Sequence, residues 1–214
     1  MESPRLRAGG TDGNERLTVL TGILLIVLLA ALGVTILRLG QLLWLHLFLG
    51  LLLIGPVTLK LASTGYRFVR YYTREPRYRR KGPPAPALRM LAPLVVLSTL
   101  VVFASGVALL LLGPSSRSSL LLIHKASFIL WLVVTARHVL GHLPEIQRTF
   151  AGAGEVRGAI FANVAPRPPL ADSPERAGRG ARALSLTGAL AAGLALALAL
   201  IPQYSAWLHH HRFH

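Results

Sequence analysis

The chain contains no cysteine. Disulfides, thiolate-held iron–sulfur clusters and prosthetic groups attached through thioethers are therefore excluded. Negative charge is almost as scarce: eight Asp and Glu stand against 23 Lys and Arg, for a net charge of +15. Those eight, Glu2, Asp12, Glu15, Glu75, Glu145, Glu155, Asp172 and Glu175, all fall outside the long apolar runs. Proton pumps and cation-coupled transporters rely on carboxylates within the membrane, so their absence there argues against transport. No glycine-rich phosphate loop follows a strand, which removes a nicotinamide- or flavin-nucleotide domain from consideration. Methionine is limited to Met1 and Met90, and no internal repeat of about 20 to 50 residues is present.

What the chain has is apolar length. It is 53% hydrophobic with a mean hydropathy of +0.55. Five runs, 17–38, 41–62, 90–113, 119–141 and 183–202, are each long enough to cross a bilayer as a helix. Because only helices or closed barrels satisfy backbone hydrogen bonds in hydrocarbon, the fold class is all-α, a polytopic membrane protein. Arg5, Arg7 and Arg16 precede the first run as in a signal peptide. The run exceeds the usual apolar region of about 7 to 15 residues, and it is read as a span.

The basic charge is confined to particular loops. Segment 66–89 carries eight Arg or Lys against one Glu, while the connections near 38–41 and 113–119 carry one Arg each. By the positive-inside rule the tail 1–16, the 66–89 loop and the linker 143–182 are expected in the cytoplasm, with the tail 203–214 outside an inner cell membrane. Residues 17–142 are expected to form an up-down-up-down four-helix bundle. The fifth helix, 183–202, with Gly188 and Gly193, is expected to be peripheral, although its small residues permit close packing. The stretch "YRFVRYYTREPRYRRK" suits anionic lipid headgroups, and no nucleic-acid partner is expected. The tail "HHHRFH", with His209, His210, His211 and His214, reads either as weak metal capture or as a plain disordered tail.

Histidines carry the chemistry. His46 lies about five residues into the second span and His124 about five into the fourth, and both spans run in the same direction, so the imidazoles share a depth. Two rings facing one centre form the ligand set of a bis-histidine haem. A porphyrin is wide and helices pack about 8 to 10 Å apart, so room is needed, and Gly33, Gly50 and Gly106 fall at the same level on three helices. His138 follows His124 by 14 positions, roughly the same helix face and about 21 Å further along.

Histidine, thirteen residues and histidine on a membrane helix resembles the b-type cytochromes that stack two haems in a four-helix bundle, including the cytochrome subunits of hydrogenases and formate dehydrogenases. The resemblance covers roughly residues 17–142. It implies non-covalent haem b, an outer pair of His46 with His124, and an inner pair in which Lys60 occupies the place facing His138. Lys60 reads either as that ligand or as a lysine snorkelling to headgroups, Met90 is an alternative partner for His138, and His142 reads as interfacial. Arg38, Arg117 and Lys125 would lie near the propionates. The outer position implies a relay of electrons between the quinone pool and an extracytoplasmic redox protein, by an electron-transfer subunit rather than a complete enzyme. The competing expectation is a haem-free membrane anchor or assembly subunit, in which the histidines only bond neighbouring helices.

Overall fold

A computed structural model describes residues 10–79, 86–162 and 179–212. Among the described residues the regular structure is helical, without strands. Helix α1 (Gly10–Leu37) turns at Arg38 into α2 (Leu39–Tyr72), and a short α3 (Pro76–Arg79) follows. Helix α4 (Pro86–Leu112) turns through a single 3-10 turn, Pro114–Ser116, into α5 (Arg117–Ala162). Then come α6 (Arg179–Ala199) and α7 (Ile201–Arg212). The α4–α5 turn depends on Gly113, whose φ of 74° suits a residue without Cβ and whose N–H caps Leu109 at 3.1 Å. Pro114 then forbids continuation of α4.

Five segments are long and apolar enough to cross a membrane: Gly13–Leu37, Leu39–Tyr72, Met90–Leu112, Arg117–Gly141 and Arg179–Ala199. Only 6% to 28% of each apolar stretch is buried inside the protein. The remaining leucine, isoleucine and valine surface needs an apolar solvent, and the chain is a multi-pass membrane protein.

Helices α1 and α2 form one hairpin and α4 and α5 another. Their turns lie at one end of the molecule, called here the turn end. The opposite end, where α2 runs on to Tyr72, is the loop end. The hairpins meet along α2 and α4 and through α7, whereas α2 and α5 make no extended contact.

Helix α6, expected to be peripheral, is pressed closely onto α2. A Cβ on Gly193 would collide with the Leu52 carbonyl, and a Cβ on Gly55 with the Ala189 carbonyl. Pro56, buried within α2, has no N–H to offer the carbonyl four residues back. That carbonyl is Leu52, the one against which Gly193 packs.

Two segments differ from the sequence reading. The linker expected at 143–182 is helical as far as Ala162, as a continuation of α5; residues 163–178 lie outside the described residues. Ala, Glu, Arg and Gln in 145–162 are good helix formers, and the Pro166, Pro168 and Pro169 cluster comes only later. The segment after the fifth span, read either as weak metal capture or as a disordered tail over its histidines, is helical from Ile201 to Arg212 as α7. Tyr204 (1% exposed) and Trp207 of α7 complete a core with Leu43, Leu51, Leu109, Leu110 and Ala197. This cluster joins α2, α4, α6 and α7 at the turn end, where Trp44 stacks on Phe48 and meets Tyr204 edge-on.

Candidate functional site: two histidines of fixed tautomer

His46 lies on α2, just past a break in the helix at Leu42 (φ −111°, ψ 19°). Its Nδ1 is 3.0 Å from Thr35 Oγ1 on α1. The fully buried Thr35 hydroxyl already donates its proton to the Leu32 carbonyl at 2.6 Å. The Thr35 oxygen can therefore only accept from the ring, so Nδ1 carries the proton and Nε2 a lone pair.

His124, on α5, repeats the device in the second hairpin. Its Nδ1 is 3.1 Å from the Val102 carbonyl and 3.1 Å from Ser105 Oγ, both on α4. A carbonyl only accepts, so Nδ1 is again the donor and Nε2 again holds a lone pair. The Ser105 hydroxyl donates to the same Val102 carbonyl at 3.1 Å. Among the described residues neither Nε2 has a hydrogen-bond partner. The ring packs closely against α4 because position 106 is glycine: a Cβ there would stand 3.0 Å from His124 Cε1.

The α4–α5 seam is built from small polar side chains. Ser98, Thr99, Ser105 and Ser127 are all buried there, which allows backbones to approach in a membrane. Trp131 Nε1 donates to Thr99 Oγ1 at 2.9 Å, and Thr99 passes its own proton to the Val95 carbonyl at 2.6 Å. Trp131 is thus a seam residue of this hairpin.

The imidazoles of His46 and His124 are both half-buried. Gly33 and Gly50 border open space, since a Cβ at either would meet nothing within 4 Å. Each hairpin thus presents one imidazole whose Nδ1–H is committed to the neighbouring helix, with an Nε2 lone pair left over. Among the described residues no three His, Cys, Asp or Glu side chains gather, so the three- and four-ligand protein sites typical of zinc are not formed there.

The other expected ligands lie apart from this pair in sequence and have surroundings of their own. Lys60 donates from Nζ to the Thr18 carbonyl of α1 at 2.7 Å, with Gly22 beside it. That bond belongs to a polar cluster in which Thr18 Oγ1 meets Ser63 Oγ at 3.2 Å and Asn14 Nδ2 donates to the Ser63 carbonyl at 3.1 Å. Lys60 is engaged within the first hairpin, while half-buried His138 sits on α5 in the second. Met90 is 76% exposed. Lys125 and Arg38 are exposed at the turn end, and Lys125 projects from α5 about 100° away from His124. The side chains of His142 and His209–His211, and all of His214, lie outside the described residues.

Sequence reasoning missed Thr35, Ser105 and the Val102 carbonyl. The available signal was a hydroxyl residue near the turn end of each hairpin's first helix. No protein family, curated protein or solved structure matches the chain, so its function is argued from this pair of histidines and the space beside them.

Proposed function

We propose that the chain is a membrane electron-transfer subunit of the b-type cytochrome kind, holding one non-covalent haem between His46 and His124. The observation that carries the reading is the matched pair of imidazoles, each with Nδ1–H committed to the neighbouring helix and Nε2 left without a partner. When bound, the haem would supply a one-electron iron couple.

The residues of the chain do the rest. His46 and His124 offer their Nε2 lone pairs from separate hairpins. Thr35, Ser105 and the Val102 carbonyl hold ring orientation and tautomer, and by accepting from Nδ1–H they raise the basicity of Nε2. Gly106 seats the His124 ring against α4, and Gly33 and Gly50 leave width between helices. Tyr204 and Trp207 of α7 close the turn end with apolar surface near this level, which limits water and favours a low dielectric. With the basic 66–89 segment on the cytoplasmic side, the turn end and the haem face outward. Electrons would then pass between the quinone pool and an extracytoplasmic redox protein.

The decisive measurement is a reduced-minus-oxidised spectrum of detergent-purified protein supplied with haem. Soret and alpha bands are expected from the wild type, neither from His46→Ala nor His124→Ala, and unchanged bands from Lys60→Ala. A folded wild-type protein without those bands would overturn the proposal. It would leave the haem-free anchor, in which the same bonds merely tie each hairpin together.

A further inference from the structure

At the turn end a groove of about 500 Å³ opens on the outer flank of the α4–α5 turn. Ser115, Arg117, Ser118 and Lys125 supply its polar wall and Leu121 and Leu122 its apolar floor. Positions 118, 121, 122 and 125 recur at one-turn spacing, so they share a face of α5. That face is rotated by about 120° from His124, and Leu122 upon it is 69% exposed. Two cations therefore stand at the head of a strip of leucine that must face lipid. Neither is paired with a carboxylate among the described residues. Between Glu75 and Glu145 the chain contains no acidic residue, so no carboxylate of α4 or of the α4–α5 turn can neutralise them, and an anion of the surrounding membrane can.

We infer that this groove is a binding site for an anionic phospholipid, whose phosphate is held by Arg117 and Lys125 with a hydroxyl bond from Ser118, and whose acyl chain lies along Leu121 and Leu122. Guanidinium and ammonium groups bind phosphate oxygens through charge-assisted hydrogen bonds, and the leucines add what a free anion would not use. The site is independent of the histidine pair, and its test does not require haem.

The test uses the full chain in bicelles with a phosphatidylglycerol probe carrying a photoreactive group in its acyl chain. Label is read by mass spectrometry on segment 118–125. Labelling is expected to exceed that by the matching phosphatidylcholine probe. In Arg117→Gln/Lys125→Gln it should fall on the order of thirtyfold, from about 1 kcal/mol per basic residue near an anionic surface and 1.4 kcal/mol per tenfold. The control Arg67→Gln/Arg79→Gln, with both changes at the loop end, should keep the labelling, and helical circular dichroism should be equal in all three proteins. Leu122→Gln, at an exposed position, should also reduce it. Equal labelling by the two lipids, or retention in the groove variant, would overturn the assignment. Displacement of the probe by millimolar inorganic phosphate would overturn the lipid as occupant and leave an oxyanion site in its place.

Discussion

Thr35 and Ser105 are ordinary residues made specific by what their protons do. A hydroxyl on a membrane helix commonly donates to a carbonyl three or four residues back, as both do here. Its oxygen is then obliged to accept, and a histidine opposite must present Nδ1–H. Thr35→Val removes the sole acceptor for the His46 ring, leaving a buried N–H unsatisfied at a cost of about 1 to 3 kcal/mol. Haem retention should weaken by about 10- to 100-fold, the usual loss when such a partner of a ligand is removed. The midpoint potential should rise, because a less basic imidazole stabilises ferric iron less. Ser105→Ala should have a smaller effect, since the Val102 carbonyl still accepts from His124. Haem titration and potentiometry check both.

Tyr204 offers a separate test. Burial pushes its phenol above the ordinary value, and its hydroxyl donates to the Ala197 carbonyl at 3.1 Å. The folded state thus prefers the neutral phenol. That stability is whole below about pH 10, the unfolded value, and is lost as pH rises through the higher folded value. Thermal melts should show a steeper alkaline loss for the wild type than for Tyr204→Phe. Tyr204→Phe itself should cost about 0.5 to 1.5 kcal/mol near neutrality. The histidines were legible in the sequence because a polar ring in an apolar run is conspicuous. Their hydroxyl partners were not, because serine and threonine satisfy themselves locally in any membrane helix, and only the neighbouring chain reveals a second use.

Among elements, the α2–α6 crossing is the most sharply specified. Gly55 faces the Ala189 carbonyl, Gly193 faces the Leu52 carbonyl, and Pro56 is what leaves that carbonyl without its helical N–H. Glycine at 193 lets that carbonyl approach α6 closely, where Cα–H groups commonly act as weak donors. Gly55→Val or Gly193→Val would force the helices apart and should cost about 1 to 3 kcal/mol, as overpacking does. Gly188→Ala, where a Cβ would meet nothing within 4 Å, should be neutral or slightly stabilising. Thermal unfolding in detergent, followed by circular dichroism, separates these cases. Gly193 was visible in the sequence as a small residue on a Leu–Ala helix. Its partner was not, because glycine and proline occur in many membrane helices and only the crossing point shows which are used. Helix α7 was written in Tyr204, Trp207 and Leu208 at helical spacing, but the polar histidines after them hid the short apolar face.

For the whole molecule the arrangement is two hairpins joined loosely at α2 and α4, with α6 fastened to α2 and α7 drawn across the turn end. An outward turn end places the C-terminus outside and the 66–89 segment inside. A reporter enzyme active only outside the cytoplasm should therefore be active when fused after His214 and inactive when inserted near Gly82. The reverse result would place the histidine pair at the cytoplasmic face and exchange the two sides of the proposed relay.

The number of spans, their approximate limits and the all-α class were determined by the sequence itself. Hydrocarbon thickness sets a length, and backbone hydrogen bonding demands a helix. Which helices touch was decided only in three dimensions. Apolar side chains are as well solvated by lipid as by one another, so hydropathy is nearly silent about partners. Glycine gaps, hydroxyls and a freed carbonyl choose the neighbours instead. That choice ties Lys60 to α1, holds both imidazoles in one tautomer, and leaves space beside Gly33 and Gly50.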